Sequence, residues 1–290
     1  MTFLILSVLT NTAIYLLFKW FDRVGIKIFE AIVANYLVAF SIGFLMIDEK
    51  SQTLATAFTF PLWSVVGFSL GVLFITIFYI MAITAQRVGV SVATIASKMS
   101  LALAVVLFAI FDPNEGMNIT KGIAIMLAMG GVVFASIKNT GESIRWKDLA
   151  WPLIILIGGT VIDFSIAFFS SYPTNNDEMS LFGCLPFLTA AITGITILLI
   201  HAIKKEYNPQ IKNIGAGMLL GVVNYGSIYF LIKTYNLNIW PKSIVLPLNN
   251  LSVVIVGAIA AVVLFREKLS TINYLGIVLS VAALAILLQF

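Results

Sequence analysis

The chain alternates long apolar runs with short polar joins, and the runs rather than the joins set its architecture. Crossing the hydrocarbon of a bilayer takes about 20 consecutive apolar residues. By that measure the sequence predicts ten spans, near 3–19, 28–47, 61–82, 90–111, 119–137, 150–170, 180–201, 213–233, 244–265 and 271–289. The expected fold class is therefore an all-α membrane protein. The first run, "MTFLILSVLTNTAIYLLF", lacks a preceding basic segment and an evident small-residue cleavage site, and reads as a retained span rather than a signal peptide.

The pattern is written twice. A register of 154 residues places Gly67 on Gly221, Ala104 on Ala258, Phe111 on Phe265 and Gly122 on Gly276. A second register, 148, sets Thr12 on Thr160 and Tyr15 on Asp163 in the first span of each half. The polar stretch "IKNTGESIRWKDLA" separates the copies, giving two five-helix repeats, 1–140 and 149–290. Five is odd, so the second copy enters from the opposite side and lies inverted. Inverted halves around a central cavity that faces either side in turn are a recurrent plan of secondary transporters.

Composition agrees with a membrane domain and removes other classes. Hydrophobic residues make up 60% of the 290 and charged residues 10%, with mean hydropathy +1.05, against about 25% charged in ordinary soluble domains. The joins are too short for a soluble catalytic domain. No nucleophile sits beside a base, and no phosphate loop precedes Lys and Ser or Thr, so neither an enzyme nor an ATP-driven pump is expected. One cysteine, Cys184, and one histidine, His201, leave no zinc or haem ligand set and no expected cofactor. The basic groups sit at span ends rather than on an extended face, which argues against nucleic acid as a partner. Twelve of the 17 Lys and Arg residues fall at joins after odd-numbered spans and four at the even ones. That bias predicts odd joins in the cytoplasm and both termini outside.

The seventeenth base, Lys98, lies inside the fourth span. An ammonium at that depth costs roughly 2.5–3.5 kcal/mol and requires a partner, a hydrated cavity or an escape to the surface. Ser91, Thr94 and Lys98 share one helix face, which points to a cavity and to an anionic solute. Asp163, in "LIGGTVIDFSIAFF" of the sixth span, is the acid placed deepest in a run. It could pair with Lys98, organise the cavity or carry a coupled proton. The eighth span supplies Asn224 and the pair Tyr225 and Tyr229; the ninth places Asn249 and Asn250 just beyond Pro247, whose missing N–H frees a carbonyl that water, a side chain or a solute must meet. Tyr15 and Tyr79 complete the expected lining. Substrate contact is thus assigned to Lys98, Asn249, Asn250, Tyr15, Tyr79, Asn224, Tyr225 and Tyr229, and gating or coupling to Pro247 and Asp163. For each taken singly, packing between helices is the competing reading.

These residues resemble the EamA type of the drug/metabolite transporter superfamily. The resemblance rests on the two five-span halves and on "IVLPLNNLSVVIVGAIAAVVLFREKLSTINYLGIVLSVAALAIL", where Pro247, Phe265, Glu267, Leu269 and Gly276 stand in the family's end-of-repeat pattern. The first half departs from it: Ala93 takes the proline's place, and Glu115 lies two residues from the position equivalent to Glu267. The resemblance implies ten helices in two inverted repeats, no cofactor, export of a small metabolite, both termini inside, and a bacterial inner membrane. Lipid, a metabolite and a coupled proton are the expected partners, in a monomer or homodimer. A non-transporting interaction or sensory protein on the same scaffold is the alternative.

Overall fold

The computed structural model describes residues 2–111, 119–136, 146–169, 172–204, 210–237 and 242–287. They form eleven helices: α1 (Thr2–Arg23), α2 (Ile28–Leu45), α3 (Lys50–Ala57), α4 (Leu62–Arg87), α5 (Val90–Phe111), α6 (Ile119–Ser136), α7 (Trp146–Phe169), α8 (Asn176–Ile203), α9 (Ile211–Asn236), α10 (Lys242–Phe265) and α11 (Thr271–Leu287). Every expected apolar run coincides with a helix. Among the described residues, however, seven helices are long and apolar enough to cross a membrane, where ten were expected. The other three, in α5, α6 and α11, are apolar over Val90–Ala104, Ile119–Ala135 and Thr271–Ile286, which is shorter than the usual span. The chain is a multi-pass integral membrane protein. Its outward side chains include Met126, Ile157, Met218 and Val278, all more than half exposed, as lipid contact requires.

One helix was not foreseen. α3 lies in what reads as a polar join, and only Thr53 and Ala57 of its eight residues are buried. Two inward positions four apart are too short a pattern to announce a helix. Ala57 joins Ile47, Trp63, Leu181, Phe182 and Leu185 in a small apolar core that gives α3 its footing. Opposite it, Asn175 caps α8 by accepting the Glu178 N–H at 2.8 Å, while the Glu178 carboxylate accepts the Thr174 N–H at 2.7 Å, a reciprocal cap of the kind that fixes helix starts.

The chain divides into two compact units. Unit 1 comprises Met1–Trp20, Ile80–Phe164 and Gly226–Phe290; unit 2 comprises Phe21–Tyr79 and Ser165–Tyr225. In unit 1, α6 and α11 pack through small residues. A side chain at Gly276 would begin 2.8 Å from the Gly131 carbonyl oxygen and 2.9 Å from the Ala135 Cα. α5 packs against α6, α10 and α11. In unit 2, α9 approaches α2 at Gly217 and Gly221, where an added Cβ would come within 2.6 Å of Ala34 Cβ and 2.7 Å of the Asn35 carbonyl oxygen. Lipid offers helices no hydrophobic reason to associate, so backbone approach through small residues supplies much of the attraction in both units.

Candidate functional site

Two polar stripes on α5 organise unit 1. Ser97 and Ser100, three residues apart, share one side of the helix. The Ser100 hydroxyl lies 2.5 Å from an Asp163 carboxylate oxygen on α7 and 2.5 Å from the Ser97 carbonyl oxygen. The Thr160 hydroxyl, one turn before Asp163, lies 3.3 Å from the Ser100 carbonyl oxygen while donating at 2.7 Å to Leu156 within its own helix. Gly159 permits the approach, because a Cβ there would stand 2.9 Å from Ser100 Cβ. On α1, the fully buried Tyr15 lies near Ser97 and Asp163. The two residues that the 148-residue register makes counterparts, Tyr15 and Asp163, thus meet adjacent serines of one helix.

The second stripe carries Ser91, Thr94 and Lys98; Thr94 meets α10 and Ser91 the join that follows it. Gly257 sits against Thr94, whose methyl group would be 3.0 Å from an added Cβ. At the start of α5 the Glu267 carboxylate accepts the Val90 N–H at 2.7 Å and the Ser91 hydroxyl at 3.2 Å. Gly89, at φ +146°, leaves room for it, since a Cβ there would stand 3.1 Å from that carboxylate. Residue numbers rise along α5 as they fall along α10, so the helices run antiparallel. This register carries Lys98 to the level of Val253. Asn250 lies one turn farther along the same side of α10 as Gly257 and Val253. Lys98 is eight residues into α5, about 12 Å along its axis, and only partly buried.

Lys98 and Asp163 act on each other electrostatically without closing to ion-pair distance. The contact pair considered from sequence is therefore not formed; Asp163 spends its contact on Ser100, on the other side of α5 from the lysine stripe. Among the described residues, Asn249 is fully buried with no partner for either its side-chain oxygen or nitrogen, and the Thr12 hydroxyl on α1 and Asn35 Nδ2 on α2 are likewise buried without one. Asn250 is buried as well. Pro247 falls within α10, but its side chain lies outside the described ones; Glu115 also lies outside the described residues. Tyr229 packs on Phe230, with ring centroids 5.5 Å apart, and the Lys233 ammonium stands 5.4 Å from its ring centre.

The remaining expected lining belongs to unit 2. Asn224 donates at 3.1 Å to the side chain of Asn35, which sequence reasoning passed over. Tyr225 donates to the Met46 sulfur at 3.1 Å, and Tyr79 meets Phe29 edge-on at 5.5 Å. Nearer the α2 start, Asn213 donates at 2.7 Å to buried Glu30, which also pairs with Lys27 at 3.4 Å. Of the expected list, then, Tyr15, Lys98 and Asp163 are gathered around α5, with the two asparagines on the helix beside it. Tyr79, Asn224 and Tyr225 have partners of a structural kind. Ser97 and Ser100 were missed, although their spacing of three, matching Thr160 and Asp163, was there to be read. Among the described residues no group of three His, Cys, Asp or Glu side chains is placed to hold a metal ion.

Comparison with known proteins adds three findings. Residues 149–289 match the EamA-like transporter family. A protein of Haemophilus influenzae described as uncharacterized is 26% identical over 290 residues, covering 97% of this chain and 95% of its own. A protein of known crystal structure shares the fold with a TM-score of 0.57 at 16% identity, over 98% of this chain and 94% of that one. The match over residues 149–289 points, at a coarse level, to the EamA drug/metabolite transporter superfamily, while the solved structure shows the fold alone.

Proposed function

We propose that the chain is a secondary transporter that moves a small polar metabolite, anionic or amino-acid-like, out of the cell across a bacterial inner membrane by alternating access. On this reading all ten apolar helices span, residues 1–140 and 149–290 are inverted repeats, and their rocking exposes a central site to either side. The observation that carries the proposal is Lys98, a cation at mid-span for which no contact ion pair is found among the described residues. A lysine kept for packing would be paired or drawn to the membrane surface. An anionic group of the solute is its natural partner, and the unpartnered Asn249 with Asn250 supplies further hydrogen bonds. Asp163, bonded to Ser100, is the residue that would carry a coupled proton.

The test is a screen followed by flux. Purified protein is melted with amino acids, nucleosides, nucleotide sugars and organic anions; a ligand that prefers the folded state raises the melting temperature by mass action. The solute so found is loaded into proteoliposomes. Saturable flux that falls at least tenfold in K98M supports the reading. Binding without flux turns it toward a sensory protein, and neither binding nor flux across the panel removes it.

A further inference from the structure

The end of unit 1 where α5 begins is closed by contacts that come from far along the chain. The first N–H groups of a helix have no partner inside it, and a Ser, Thr, Asp or Asn side chain just before the helix commonly meets one of them. α5 has Gly89 there and takes its cap from Glu267, 177 residues beyond Val90. That carboxylate accepts the Val90 N–H at 2.7 Å, the Ser91 hydroxyl at 3.2 Å and the Ser91 N–H at 3.4 Å. Its own join aims it: Arg266 turns the chain at φ +55°, a conformation that side chains rarely adopt, and the Glu267 N–H bonds back to the Ala261 carbonyl at 3.2 Å. Just ahead of α5 in the chain, the ends of α1 and α4 hold each other. The Lys19 ammonium donates to the Gln86 carbonyl at 2.5 Å, and the Gln86 amide donates to the Phe18 carbonyl at 3.1 Å. Ser91 and Thr94, which precede Lys98 on its face of α5, are both buried.

We propose that Glu267 is the latch of a gate: seated on Val90 and Ser91 it shuts this side of the membrane off from Lys98, and it lifts away with the α10–α11 join when the carrier turns to this side. On the ten-span reading the ends of α1, α4 and α10 and the start of α5 all stand at joins after odd-numbered spans, so these contacts share one side. A cap that served only to finish α5 would need no more than a local side chain. One supplied by the other repeat holds only while α10 keeps its place beside α5, and so ties the start of α5 to the position of α10. A carboxylate binds N–H and O–H groups firmly, yet water can take over both halves of the contact once the seam opens, leaving nothing buried and unpaired. Rocking of inverted halves opens and closes such seams in turn. The turning rests on the carrier reading; the closure of this end by Glu267 does not.

The test uses the full chain with Cys184→Ala, which leaves no other thiol. Thr94→Cys and Val253→Cys, replacing fully buried side chains on α5 and α10, are added singly and treated with a charged thiol reagent. Both should react slowly while Glu267 is present and at least roughly tenfold faster in Glu267→Ala, as a shift from closed to open requires. Glu267→Gln, which keeps one acceptor oxygen, should fall between them and carries the test should the alanine variant fold poorly. Faster labelling at Thr94→Cys alone would be fraying of the first turn of α5 and overturns the latch, as does equal labelling with and without Glu267. The second arm locks the contact: Ser91→Cys with Glu267→Cys is joined by a short, cleavable bifunctional thiol reagent in proteoliposomes loaded with the solute found by melting. Joining should abolish flux and cleavage restore it, whereas either single cysteine treated alike keeps its flux. Flux that persists after joining overturns the latch. Faster labelling at both positions in a protein that shows no flux, joined or not, keeps the closure by Glu267 and sinks the carrier reading.

Discussion

Unit 1 and unit 2 both carry polar side chains at membrane depth, and they treat them differently. In unit 2 Asn224 bonds Asn35, and near the helix starts Asn213 bonds Glu30, itself paired to Lys27, although Asn35 Nδ2 is buried without a partner among the described residues. Each bond ties α9 to α2 where glycines already bring the backbones together. Such interhelical bonds average well below 2 kcal/mol in membranes and serve as glue. In unit 1 the accounts stay open. Among the described residues Lys98 has no contact ion pair, and neither the side-chain atoms of Asn249 nor the Thr12 hydroxyl has a partner. Packing between the helices leaves these groups without partners, a condition that a bound solute would relieve.

The largest effect expected from breaking the comparison lies in the glycine contacts. Gly217→Val should cost about 3 kcal/mol or more by overpacking α9 against α2, read as loss of monodisperse protein on size exclusion. Gly215→Val, on the same helix with nothing within 4 Å of its Cβ position, should be near neutral. Asn224→Leu should then lower the melting temperature through the Asn35 it strands, by the equivalent of about 1–2 kcal/mol. Asn249→Leu should do the opposite or nothing, since no bond is lost there; a cost equal to that at Asn224 would make Asn249 glue as well. The smallest effect belongs to Glu267→Ala, which removes the cap on α5 and should cost about 1 kcal/mol in a melting experiment, with Glu267→Gln recovering part of it.

The same contrast explains what could be read from the sequence. Apolar runs announce helices because their length and hydropathy are local, and every run became one. α3 escaped because its buried positions are two residues of a polar join, explained only by the core it meets. Lys98 and Asp163 stood out as charges in apolar surroundings. Their relationship did not, since whether two charges touch depends on which side of α5 each one occupies. Ser97 and Ser100 were hidden for another reason: a serine in a membrane helix usually bonds back to its own turn, as Thr94 and Thr160 do. Only the approach of α7 at Gly159 turns Ser100 into a partner for a carboxylate. Asn35 was invisible until Asn224 was placed opposite it.

The central claim is that the polar face around Lys98 opens to water and solute rather than serving as packing. It is tested most directly by replacing Lys98 with cysteine in a Cys184→Ala background, so that no other thiol is present, and measuring its reaction with charged, membrane-impermeant thiol reagents in sealed proteoliposomes. The account predicts labelling at a rate near that of an exposed thiol, slowed by an anionic solute that stabilises the wild type. A cysteine at 98 that reacts only with lipid-soluble reagents, or with none, would contradict it.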